Sequence, residues 1–165
     1  MKLRAYRHSV AFALTAALAA GLPGQVTAQA PVPDARDWTG AYGGSYQCRD
    51  GAHGIHVEIA SVTAEEDGSY AVSGVLGFFP LIDGGGPMAH VAGSFAVAGT
   101  ITPDHIIRLE PLDWLVEAPG YGAAALLGEL LLRRDGLWQI LGMPVVPGDQ
   151  LACSDLLATQ FLPAS

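Results

Sequence analysis

The chain has 165 residues, of which 50% are hydrophobic and 15% charged, with a mean hydropathy of +0.33. That is apolar material for one packed domain, and it excludes a disordered or collagen-like chain. The formal charge is −8; because Lys2, Arg4 and Arg7 all open the chain, the remainder carries arginines alone against all sixteen carboxylates, which argues against nucleic acid or an anionic membrane as partner.

Residues 1–30 read as a secretory signal: the basic start, an apolar stretch from Val10 to Leu22, a Pro23-Gly24 break, then Ala28 and Ala30 around Gln29. Cleavage is predicted after Ala30, giving a periplasmic or secreted protein. The apolar stretch is shorter than the roughly 20 residues of a spanning helix, and no Cys follows the cleavage site to take a lipid, so no membrane anchor remains after cleavage. Export makes the cysteine count informative. Cys48 and Cys153 are the two cysteines, and an oxidising compartment favours one disulfide between them over a lone reactive thiol. The bridge would close a loop of about 105 residues, worth up to about 4.7 kcal/mol in a chain-entropy account.

After an extended lead-in over 31–37, residues 38–165 form a single domain in which short apolar segments alternate with turn signals. The predicted strands are Tyr42 to Cys48, Gly54 to Thr63, Tyr70 to Phe79, Ala89 to Ile101, Ile106 to Leu109, Ala123 to Leu132, Leu137 to Gly142 and Ala152 to Phe161. Alternation is cleanest where Ile55, Val57 and Ile59 share one face while His56 and Glu58 share the other. Glycines inside strands, at 74, 77, 93 and 99, suggest bends or bulges. Residues 123–134 are mostly strong helix formers, but Gly128 and the Asp135-Gly136 turn favour a strand there. Glu110 to Gly122 reads as irregular. The expected fold is therefore all-β and antiparallel, about eight strands in a small closed barrel or sandwich with one disulfide.

The pattern Trp38-Thr39-Gly40-Ala41-Tyr42, Cys48, Gly93-Ser94-Phe95, Pro111-Leu112-Asp113-Trp114, Pro119-Gly120-Tyr121 and Cys153 resembles a small exported module of alphaproteobacterial proteins. That module sometimes stands alone and is sometimes attached to caspase-like peptidase domains. The resemblance implies a disulfide-linked β domain and export rather than an activity. The architecture also looks distantly like lipocalins and avidins, which set a Trp near the first strand at the closed end of the barrel; those place Gly before Trp, whereas Trp38 precedes Gly40.

His53 and His56, beside Asp50 and Glu58, are the nearest approach to a metal constellation. A spacing of three on a strand sends the rings to opposite faces, and His53 falls at a turn, so both read as exposed turn and strand histidines. Neither a G-x-S-x-G elbow nor a phosphate loop is present, since no Lys follows Gly84-Gly85-Gly86, and no cofactor is implied. Glu65, Glu66 and Asp67 read as a solvated turn. The most suggestive stretch is Leu109 to Gly122, whose Trp114 and Tyr121 would either cover a pocket mouth or plug the barrel as core; Trp38 is a third binding candidate. These features point to an exported β-barrel binding module taking a small apolar molecule in its cup, or a protein partner at the Trp114 to Tyr121 segment. The alternatives are an exported metal-dependent hydrolase using the His53/His56 region and a peptidase-associated structural or inhibitory module.

Overall fold

The computed structural model describes residues 34–49, 51–81, 91–145 and 153–163. The expected leader and cleavage site, the Gly84-Gly85-Gly86 run and His90 lie outside the described residues. Eight strands follow in chain order: β1 (Gly40–Cys48), β2 (Gly51–Ala64), β3 (Tyr70–Pro80), β4 (Gly93–Ile101), β5 (Ile106–Val116), β6 (Ala125–Leu132), β7 (Trp138–Val145) and β8 (Cys153–Pro163). Each pairs antiparallel with the next and β8 pairs with β1, so the sheet closes into an up-and-down barrel rather than a sandwich. Among the described residues no helix is long and apolar enough to cross a membrane.

The two-residue period decides what fills the interior. Ile55, Val57 and Ile59 of β2, Val72, Leu76 and Phe78 of β3, and Ile107 and Leu109 of β5 are buried inside, while His56 and Glu58 face out. Closing so narrow a sheet requires each strand to bend sharply, and the chain does this in two ways. In β1, β3, β4, β6 and β7 an inward position is glycine where the neighbouring backbone crosses closely: a Cβ on Gly74 would lie 1.8 Å from the Glu58 carbonyl oxygen, and one on Gly99 1.8 Å from that of Arg108. In β2, β5 and β8 the bend comes from bulges, where these strands supply more residues than their partners. A bulge also resets the alternation: Ile59 faces in, and after the extra residue Val62, three positions on, packs against the core again.

Helix propensity in β6 is overridden by tertiary pairing. Gly128 packs within 2.6 Å (measured to a would-be Cβ) of the Leu141 carbonyl oxygen, and the β6–β7 connection is a tight turn in which Gly136, with φ 83°, donates its N–H to the Arg133 carbonyl. The Asp135 carboxylate accepts from the Leu137 N–H. The β2–β3 connection repeats this chemistry: Gly68 donates to Glu65, and Asp67 accepts from the Ser69 N–H and hydroxyl. The acidic run at 65–67 is thus a hairpin turn.

One barrel end is closed by an aromatic floor. Trp38 is 2% exposed and meets Tyr70, His105 and Trp138 edge-on, with centroids 4.9, 5.5 and 5.8 Å away. Buried Gln160 fastens the chain there: its amide donates to the Asp37 and Thr39 carbonyls and its oxygen accepts from the Trp138 N–H. The Tyr42 hydroxyl donates to the Trp38 carbonyl at 2.7 Å. Two expectations need correction. The lead-in is not extended to Asp37, because Ala35–Trp38 coils into a 3-10 turn held by the Asp37 N–H donating to Asp34. The stretch from Glu110 is not irregular either, since β5 continues to Val116, its alternation hidden by bulges opposite Phe95.

Candidate functional site

At the end opposite Trp38 the interior is left partly unfilled. β1 and β8 meet there in register at Cys48 and Cys153, which form the disulfide with Cα atoms 4.1 Å apart. Beyond Leu109, β5 no longer pairs with β6, and the chain from Glu117 to Ala124 bridges the opening. A type II turn shapes that bridge. Pro119 and Gly120 are its central residues, Gly120 takes φ 83°, and the Tyr121 N–H donates to the Ala118 carbonyl at 3.0 Å. Ala118 is buried against the wall of β4, and this approach depends on Gly93: a Cβ there would fall 2.7 Å from that of Ala118 and 3.0 Å from the Phe78 and Trp114 rings.

The result is a pocket of about 70 Å³. Tyr46, His53, Phe78 and Tyr121 surround it near the mouth, the disulfide forms part of one wall, and Leu76, Leu126 and Leu156 lie deeper. Ligand-enclosing pockets run to ~300–1,000 Å³, and an apolar cavity of ~150 Å³ can hold one benzene. The space among the described residues is that of one small apolar group.

His53 is 6% exposed and points into the barrel, which corrects the expectation of an exposed turn histidine. It stacks on Tyr46 at 5.3 Å with its edge toward Tyr121 at 6.3 Å. His56 sits on the outer face beside Phe161, 6.1 Å between rings. The barrel wall separates the two imidazoles, as their spacing on a strand implies, so they share no ligand position. Among the described residues no three of His, Cys, Asp or Glu gather as a metal site.

Of the three aromatic candidates, Tyr121 lines the pocket. Trp114 stands behind it: on β5 and half-buried, it packs edge-on against Phe95 at 5.2 Å and Phe78 at 6.3 Å, fixing the Phe78 ring. Trp38 belongs to the floor at the far end. Sequence reasoning missed Tyr46, His53 and Phe78 as pocket residues. Parity carried the signal for two of them, since Tyr46 lies four positions from inward Tyr42 and Phe78 two from inward Leu76. No protein-family model, curated protein or solved structure matches the chain.

Proposed function

We propose that this is an exported binding module whose open end receives an apolar side chain of a protein partner. The observation that carries the reading is the size and lining of the mouth pocket: about 70 Å³, walled by aromatic rings. That volume suits an aliphatic side chain and excludes an enclosed ligand of ordinary size. A rigid aromatic pocket ringed by further apolar surface is the usual form of a protein-binding hot spot. Leu112, Leu115 and Val116, in the half of β5 nearer the mouth, are exposed and would offer such a partner further apolar surface. The small apolar molecule is the second reading, favoured by the apolar lining alone. The disulfide is compatible with export, because such bonds persist outside the reducing cytoplasm.

Two-dimensional amide NMR tests this with N-acetyl-leucinamide as the side-chain mimic, N-acetyl-aspartamide as control and a long-chain fatty acid as the enclosed-ligand competitor. The leucine compound is expected to shift the Gly120, Tyr121 and His53 resonances saturably, and Tyr121→Ala to weaken it about tenfold. Tight one-to-one fatty-acid binding would overturn the side-chain reading in favour of the cup. No shift at the mouth up to the solubility limit would overturn both.

A further inference from the structure

The lining of the mouth pocket constrains the chemistry of its occupant as well as the size. Tyr46, His53, Phe78, Phe95 and Tyr121 all border the space. Their rings do not share a plane. Tyr46 and His53 lie nearly parallel, at 18°, whereas Tyr121 stands at 79° to His53 and at 40° to Phe78, so aromatic groups close in on the space from several directions. Among the described residues no Lys, Arg, Asp or Glu lines it. The charges lie outside, on the rim. In the connections and strand halves at this end, the described charged residues are exposed Asp113, Glu117 and Asp155 against a single Arg49. Asp113 and Glu117 form no ion pair among the described residues.

We propose that the group this pocket prefers is a quaternary ammonium, the tip of a trimethylated lysine on the protein partner. The inference rests on the reading that a partner's side chain enters the mouth, and it adds the charge of that side chain. A trimethylammonium has the shape of a tert-butyl group, so a space of about 70 Å³ that suits one small apolar group suits it as well. Its charge is spread over methyl groups, and aromatic faces attract such a cation. An unmethylated lysine or an arginine fits less well, because its N–H donors would be buried where no carboxylate accepts them. The acidic rim, on a chain of formal charge −8, favours a cation over a neutral group of the same shape. It disfavours a free betaine, whose own carboxylate would meet Asp113 and Glu117, and a choline headgroup set in an anionic membrane.

Amide NMR titration tests this with N-acetyl-trimethyllysine amide, its neutral analogue carrying carbon in place of the quaternary nitrogen, and N-acetyl-lysine amide. The trimethylated compound is expected to shift the Gly120, Tyr121 and His53 resonances and to bind about tenfold more tightly than its carbon analogue, with unmethylated lysine the weakest of the three. Raising salt from about 50 to about 500 mM should weaken the cation severalfold and leave the neutral analogue unchanged. Tyr121→Leu and, separately, Tyr46→Leu keep an apolar wall without the ring; each should erase most of the preference while the neutral analogue still binds. Far-UV circular dichroism establishes that each variant is folded. Equal affinity for the cation and its carbon analogue overturns the inference and leaves the side-chain reading standing, and a preference that survives in both folded variants overturns it too. Failure of these compounds and of N-acetyl-leucinamide alike overturns the inference and that reading together. Mouth shifts with phosphatidylcholine vesicles but not with the trimethylated lysine would assign the pocket to a lipid headgroup and also overturn it.

Discussion

Two buried polar side chains hold the closed end, and each makes the most of its hydrogen-bonding capacity. Gln160 satisfies three backbone groups on two separate segments; Gln160→Leu keeps the volume but strands all three, at roughly 1–3 kcal/mol for each group that stays buried. A loss of about 3 kcal/mol in urea unfolding is expected. Tyr42 is fully buried and donates to the Trp38 carbonyl, and burial pushes its phenol well above the ordinary value of 10.0. The folded chain therefore keeps this proton above pH 10 while the unfolded chain releases it, so stability falls with rising pH from that point upward. Tyr42→Phe should cost about 1 kcal/mol at neutral pH through the lost hydrogen bond and flatten the decline above pH 10; pH-dependent urea unfolding of both proteins measures this. At the exposed turns the effect has the opposite sign. The Ser69 hydroxyl and N–H hold Asp67 below the usual carboxylate range. At Asp135 desolvation is the largest single influence and works upward, but the Arg133 and Leu137 hydrogen bonds and the Arg133 charge together outweigh it, so its value also falls. Both turns are most stable above the ordinary carboxylate range and weaken as acid protonates them.

The strands divide the work of curvature between missing side chains and inserted residues. Gly99 shows the first device: its inward Cβ position is occupied by the Arg108 carbonyl oxygen. Gly99→Ala must push β4 and β5 apart and is expected to cost about 3 kcal/mol. Gly122→Ala, with nothing within 4 Å of the new carbon, should fall within about 0.5 kcal/mol of the parent; urea midpoints compare the two. Equal, small effects would show that the barrel does not depend on the close crossing. These devices also explain what could be read beforehand. Strand-to-strand punctuation was legible because Asp67-Gly68 and Asp135-Gly136 demand tight turns, and that settled β6 against its helical composition. The second half of β5 was not, because two bulges break the period between Pro111 and Val116. The pocket was legible only in part, since His53 reads as a turn residue until the β1–β2 register carries it into the wall opposite Tyr46, and an unfilled volume has no linear signature at all.

At the scale of the whole barrel, the disulfide joins the first strand to the last at the end where other closure is weakest. Near the floor the seam between β1 and β8 is backed by Gln160 and the aromatic cluster. At the mouth it borders the pocket, and β7 pairs with β8 only from Gln139 to Gly142. Because the β1–β8 ladder runs nearly the full length of β1, removing the bridge should leave the folded topology intact and act mainly on the unfolded chain, which regains the freedom of a 105-residue loop. The double variant Cys48→Ser/Cys153→Ser is therefore expected to fold, to lose about 2–5 kcal/mol, and to show a larger denaturant dependence because its unfolded state is more expanded. The local effect should be separable from the global one. Hydrogen exchange at amides flanking the bridge in β1 and β8 should accelerate more than exchange beside Gln160, since the mouth loses its clamp and the floor does not. Uniform acceleration along the seam would mean the barrel opens only as a unit and that the bridge has no special hold on the mouth.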